Sequence, residues 1–273
     1  MCDHDKEIYR GENDGCLIYR GKDYIVVNKP PGLDAEHGFP ELLKKQYGFH
    51  DIYCVHRLDL AAGGLLVYAL SDKAAGVFSR YIEEKQLKKS YLVVCEGVPV
   101  EAEGEWTDLL FKDSRKQKMF PVKRMRKGVK EAKLAYQVIV SKALSGDSDK
   151  GLQSDRDESE LYLKKPENLM EKPTCADKEE VKKLEEKREG GKQIALCRVE
   201  LFTGQFHQIR VQFASRKHPL AGDGKYGSRL KVDELGLFCN ELSFPEPGTG
   251  TMLTFTAQPD MAKTPFIWFS EKL

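Results

Sequence analysis

Apolar residues recur along this chain mainly at the spacing of strands, interrupted at a few places by the spacing of a helix. Leu17-Ile18-Tyr19 and Tyr24-Ile25-Val26-Val27-Asn28 predict two strands joined by the turn-like Arg20-Gly21-Lys22-Asp23, so a hairpin opens the fold. Lys29-Pro30-Pro31-Gly32 then forces a sharp exit, because proline lacks a backbone N–H and glycine tolerates positive φ. Residues 40–47 predict a short helix ended near Gly48. The continuous run Leu65–Leu70, preceded by Gly63-Gly64, suits a buried strand whose glycines admit a close backbone or ligand. Ser71-Asp72 can cap a helix whose Val77, Phe78, Tyr81 and Ile82 fall on one face and are expected in the core.

Strand spacing returns in Lys88–Val94, in Ala132, Leu134, Tyr136, Val138 and Val140, and again in Ala195, Cys197, Val199 and Leu201. Phe206, Ile209 and Phe213 switch to helical spacing. Strands at about 235–244 and 251–257 and a Pro-punctuated tail complete the chain. Residues 142–192 break the order with twelve basic and fourteen acidic residues and few apolar ones. They predict a flexible, solvent-exposed insertion in which Asp177–Glu189 can form a charged helix.

The 273 residues suffice for one large packed domain, and 44 basic against 43 acidic residues leave a net charge of +1. Any nucleic-acid affinity must therefore be local. Lys112–Lys133 supplies such a place, with ten basic residues against two acids, interleaved with Met119, Phe120 and Met125. Like charges so concentrated repel unless an anion is near, which points to RNA. The seven cysteines lack C-x-x-C spacing and the six histidines lack H-E-x-x-H, so neither a disulfide framework nor a metal site is expected. Reduced thiols suit the cytoplasm. The first residues lack an apolar signal core, and no stretch reaches the ~18 apolar residues of a membrane span.

The densest chemistry lies in Cys54-Val55-His56-Arg57-Leu58-Asp59-Leu60. In extended form it would place Arg57 and Asp59 on one side and His56 and Leu58 on the other. Leu58 interrupts the kinase signature H-R-D, and no phosphate loop or D-F-G accompanies it. Downstream, His207 and Arg210 are neighbours on a helix surface. His218–Gly227 is Gly-rich but lacks the setting of a nucleotide fingerprint.

Taken together, Val-Val-Asn-Lys-Pro-Pro-Gly (26–32), Val-His-Arg-Leu-Asp (55–59) with Gly-Gly-Leu-Leu-Val (63–67), Lys89-Ser90-Tyr91, and Thr-Gly-Gln-Phe-His-Gln-Ile-Arg-Val (203–211) with His-Pro-Leu-Ala-Gly-Asp-Gly-Lys-Tyr-Gly (218–227) resemble the RNA pseudouridine synthases of the RluA branch. The resemblance implies an α+β catalytic domain over 17–260, a mixed, largely antiparallel sheet with flanking helices, interrupted at 142–192 and without a separate S4-type RNA-binding domain. It implies isomerisation of uridine in ribosomal or transfer RNA to pseudouridine, without metal or organic cofactor, by a cytoplasmic monomer.

Carried over by motif, Asp59 corresponds to the catalytic aspartate, Arg210 to its ion-pair partner and Tyr91 to the tyrosine packed against the flipped base. Arg57 corresponds to the arginine that helps fill the gap left by that base. His56, Lys89, His207 and Gln208 are expected to contact RNA. Opposite charge on Arg210 is expected to keep Asp59 ionised. Where the family commonly has a charged pair and Thr-Ser-Gly after its aspartate, this chain has Leu60-Ala61-Ala62-Gly63-Gly64. Gln205-Phe206 replaces the common Arg-Thr. Both departures touch the rim and bear on substrate identity.

Two other functions remain open at this point: an RNA-binding protein of the same fold without turnover, and a nucleoside or glycoside hydrolase using Asp59. Hydrolysis needs a second carboxylate, and the motifs offer only Asp223. Attack by Asp59 on ribose and on base are equally open.

Overall fold

The opening hairpin forms as β2 (Leu17–Arg20) and β3 (Tyr24–Lys29) in the computed structural model, which describes residues 7–10, 15–145 and 191–273. The expected helix at Asp177–Glu189 lies outside the described residues. The chain divides into a main unit, Met1–Ser141 with Ile194–Leu273, and a second one, Lys142–Gln193.

The twelve described strands join in one sheet whose main path runs β2-β3-β5-β11-β6-β10-β9-β7-β8. Here β5 is Gly63–Ala69, β6 Lys88–Glu96, β7 Glu103–Asp113, β8 Lys118–Val122, β9 Val129–Ser145, β10 Gly191–Leu201 and β11 Leu237–Pro245. β4 (Tyr53–Cys54) pairs with β5, and β12 (Met252–Thr256) with β11. β5 and β11 run parallel through Phe238↔Gly63 and Cys239↔Gly64, and β1 (Glu7–Arg10) runs parallel to β12. The other described ladders are antiparallel. The expected mixed, largely antiparallel sheet is what forms.

The junction of β5 and β11 is close enough to demand glycine. A Cβ on Gly64, whose φ is +115°, would stand 2.4 Å from both the backbone N and O of Cys239. All of β5 is buried, as a strand covered on both faces must be. Tyr68 on this strand and Phe39, Phe78, Phe244 and Phe255 elsewhere are among the largest fully buried side chains.

Helix α1 (Gly38–Tyr47) ends at Gly48 in the left-handed region, φ 71°, where a side chain would be strained. Helix α2 (Asp72–Glu83) starts at Ser71, whose Oγ accepts from the Ala74 N–H at 3.3 Å. Its stripe is less buried than its spacing predicts. Phe78 is inside, Val77 and Tyr81 are half-buried, and Ile82 is exposed, because the last turn borders a cavity rather than the core.

Two strands escape the sequence pattern. β1 is short and polar and exists through its pairing with β12, and β7 carries mostly half-exposed residues. The strand expected to end before residue 142 continues to Ser145, and its partner begins at Gly191. A second small core of Leu110, Met119, Ala132, Val211 and Tyr226 seats α3 (Gln208–Ser215) on β7, β8 and β9. Leu110, Met119 and Val211 contribute about 1.5–3 kcal/mol each when buried. This packing aims the first turn of α3 at the loop before β5.

Candidate active site

Asp59 sits in that loop, which is irregular rather than extended. Its neighbour Leu60 is tied down by its carbonyl, which accepts from Gly32 N–H at 2.8 Å and from Lys29 Nζ at 3.4 Å. Lys29 is fully buried and also donates to the carbonyls of Pro30 and Leu33. Burial lowers its pKa to about 8. The Lys-Pro-Pro-Gly turn thus holds the reactive loop against the end of β3.

Arg210 Nη1 donates to Asp59 Oδ2 at 3.1 Å. The rest of its guanidinium is committed to Asp223, with Nε–Oδ2 2.7 Å and Nη2–Oδ1 2.8 Å. Side-chain exposure falls from 17 % at Asp59 to 9 % at Arg210 and 0 % at Asp223. One arginine therefore bridges a carboxylate open to the cavity and another sealed behind it. Burial opposes the charge on Arg210, but the Asp223 hydrogen bonds and both carboxylates hold it firmly protonated.

Arg210 favours the ionised form of Asp59, in the direction expected, but it acts against burial. Burial raises the Asp59 pKa above the ordinary carboxylate value, Asp223 adds to the rise, and Arg210 offsets only part. A guanidinium already paired with one anion has less to give a second.

His207 precedes α3 in the left-handed conformation, φ 49°, uncommon for a residue with a side chain. Its Nε2 lies 3.9 Å from Asp59 Oδ2, and its Nδ1 lies 3.1 Å from the Tyr226 hydroxyl, which accepts from Met119 N–H. Burial and the Arg210 charge lower its pKa to about 3, so the imidazole is neutral. Phe206 stacks on it with centroids 3.8 Å apart.

Asp59, Arg210, Tyr91, His207, His56, Arg57, Lys89 and Gln208 all border one cavity of about 300 Å³, with Phe206 and Ile82 among the apolar walls. Tyr91 is buried on β6, opposite Cys239. Two residues already have partners. Arg57 stands on an irregular segment, not an extended one. Its Nη1 pairs with Glu36 at 2.8 Å on the surface, since the loop turns instead of extending. The Gln208 amide is occupied internally: Oε1 accepts from Thr203 Oγ1 and Gln205 N–H, and Nε2 donates to the Lys133 carbonyl.

Asp223 and Tyr226 were missed as site residues. They approach from a Gly-rich loop whose direction no periodicity reveals. The one available signal was that Asp223 is the lone carboxylate of the stretch 218–227.

Among the described residues, no group of His, Cys, Asp or Glu is placed to hold a metal ion. No described helix is long and apolar enough to cross a membrane.

One guanidinium thus joins two carboxylates at the wall of a cavity, on a mixed sheet. A sequence profile described as RNA pseudouridylate synthase matches residues 23–215, and the chain belongs to that family. It is an enzyme that isomerises uridine in RNA to pseudouridine.

The tRNA pseudouridine synthase C of Pasteurella multocida is 27 % identical over 265 residues, covering 89 % of this chain and 91 % of that protein. The dual-specificity RNA pseudouridine synthase RluA of Escherichia coli is 25 % identical over 261 residues, covering 89 % and 93 %. Among solved structures, human RNA pseudouridylate synthase domain containing 4 superposes with a TM-score of 0.62 at 20 % identity, covering 94 % of this chain and 92 % of its own. That likeness concerns the fold.

Proposed function

We propose that Asp59 is the carboxylate that reacts, that Arg210 is its ion-pair partner, and that Tyr91 stacks on the flipped base, with structured ribosomal or transfer RNA as substrate. The observation that carries this reading is the single guanidinium fixed on Asp223 and reaching Asp59 at 3.1 Å across the cavity wall. Breaking the glycosidic bond develops positive charge on the sugar, and a carboxylate can stabilise it or form a covalent intermediate. Nothing is hydrolysed, so one reactive carboxylate suffices. Asp223, sealed and bidentate on Arg210, has no free oxygen edge toward water, which disfavours the hydrolase reading.

The uridine must leave its stack at a cost of a few kcal/mol. The Phe206–His207 stack and the Tyr91 ring offer flat faces beside Asp59, and such faces offset part of that cost. Arg57 is exposed, and surface pairs of its kind are worth about 0–1 kcal/mol, so its exchange from Glu36 to a phosphate is inexpensive. Residues 17–260 form the catalytic domain in this reading, to which β1 adds an edge strand. RluA is named for dual specificity and synthase C for tRNA, and both substrate classes are carried here as the proposal.

Purified Asp59→Asn is expected to bind unmodified transcripts like the wild type and to form no pseudouridine. Activity within about tenfold of wild type, about 1.4 kcal/mol in the barrier, would contradict the role.

A further inference from the structure

The cavity wall holds a pair that the reading above leaves unused. His56 Nδ1 and Lys89 Nζ are 3.2 Å apart, and the His56 Nε2 lies 3.2 Å from Val67 N. A backbone N–H can only donate, so Nε2 must carry the lone pair and the proton of a neutral imidazole must sit on Nδ1. Nδ1–H then points at Lys89 Nζ, which can accept only as an uncharged amine. A lysine ammonium would need a bare Nδ1, and that tautomer would set Nε2–H against Val67 N–H. An imidazolium would set donors against both neighbours.

We propose that Lys89 is held as a neutral amine by His56 and is the base that takes the uracil carbon 5 proton. The proposal rests on the reading of this cavity as the isomerisation site.

The surroundings agree. Lys89 borders the cavity together with Asp59 and Tyr91. Burial lowers the Lys89 pKa and drives His56 well below its ordinary value. The groups that face Lys89 are His56 from the reactive loop, the Cys54 thiol from β4 and the Cys239 thiol from β11. Burial pushes the two thiols up to about 11 and 12, so neither is an anion that would hold a proton on the amine. The Tyr91 hydroxyl, the other protic group beside Asp59 on this wall, is buried next to Cys239, and its phenol is raised well above the ordinary value. It remains a phenol and serves as a ring.

The step balances within the base itself. After carbon 5 has bonded to the ribose, that carbon still carries its hydrogen, and the ring has a double bond between N1 and carbon 6. Lys89 takes the carbon 5 proton. The C–H electron pair becomes the carbon 5–carbon 6 double bond, and the N1–carbon 6 pair moves onto N1. The resulting ammonium opposes His56 Nδ1–H, so it swings away and returns its proton to N1. The amine is regenerated and no other reactant is consumed.

The test uses unmodified ribosomal and transfer RNA transcripts in which the wild-type protein forms pseudouridine, and the same transcripts made with 5-fluorouridine, which has no carbon 5 proton to lose. Lys89→Met is expected to lose about 100-fold or more in turnover on uridine RNA, while still rearranging 5-fluorouridine RNA at the wild-type rate. Lys89→Arg, which puts a permanent cation in place of the neutral amine, is expected to be equally slow on uridine. Rescue by arginine, turnover of Lys89→Met near wild type, or equal loss on both RNAs would overturn the role. Independently of activity, Lys89 in isotope-labelled wild-type protein should give the NMR signal of a free amine at pH 7, and an ammonium signal would overturn the assignment. Asp59→Asn, by contrast, should fail on both RNAs. If it does not, the underlying reading of the cavity fails.

Discussion

Asp59 carries an energetic cost that follows from where it sits. Its pKa is raised by burial, so between the ordinary carboxylate value and that raised value the folded protein binds a proton that the unfolded chain releases. Stability then falls as pH rises through that window, and the cost is full above it. Asp59→Asn removes the ionisation, and its melting temperature should fall less than the wild type's between pH 4 and neutral, making it at least as stable at pH 7. A larger fall in the variant would mean that Arg210 more than offsets burial.

Asp223 is a matter of pairing. Its side chain is sealed against Arg210, and removing one partner of a buried pair costs roughly 3–5 kcal/mol. Asp223→Asn should lose that much in urea unfolding and should also lose activity, although Asp223 does not face the cavity, because Arg210 would no longer be held toward Asp59. Asp59 and Arg210 were legible as a motif pair, 151 positions apart. The tie of Asp223 to Arg210 was not, since it depends on a loop path, and neither was the pairing of Arg57 with Glu36, 21 positions away, beyond any local periodicity.

The caps of α1 and α2 could be read directly, because Gly48 and Ser71 act on the backbone next to them. Ile82 could not. An apolar stripe says which residues share a face, not how far the opposing surface extends, and here that surface gives way to the cavity. Gly64 was recognisable as a point of close approach, and the structure names the neighbour. Gly64→Ala, with its Cβ directed into the Cys239 backbone and its φ positive, should separate β5 from β11 and cost well above the ~1 kcal/mol of an ordinary glycine replacement. Chemical denaturation reads that loss, and a neutral effect would mean the junction is loose.

The turn between β8 and β9 presents Lys123, Arg124, Arg126 and Lys127, all exposed. Replacing these four with glutamine should weaken RNA binding and flatten its dependence on salt, by ~0.7–0.9 in log–log slope for each phosphate that the protein ceases to neutralise. An unchanged slope would show that this edge faces away from RNA.

A nearly neutral chain binding a polyanion must concentrate its positive charge, and it does so along the same β7–β9 layer that seats α3 through the small core around Leu110 and Tyr226. The basic turn between β8 and β9 and the helix that presents Arg210 therefore share one support. The large core around Tyr68 and Phe78 holds the other half of the site, the loop of Asp59 on the Lys29 anchor. β1 and β7 stayed invisible in the sequence because their residues are too polar to announce a strand, and pairing with β12 and β9 supplies what propensity does not. The dependence of chemistry on Asp59 is best tested by mapping pseudouridine across total RNA from cells carrying the wild-type protein and from cells carrying Asp59→Asn. Loss of a discrete set of sites in the variant is the predicted result, and those sites name the RNA. Survival of every site, with wild-type protein also silent on unmodified transcripts, would contradict it and leave an RNA-binding protein without turnover.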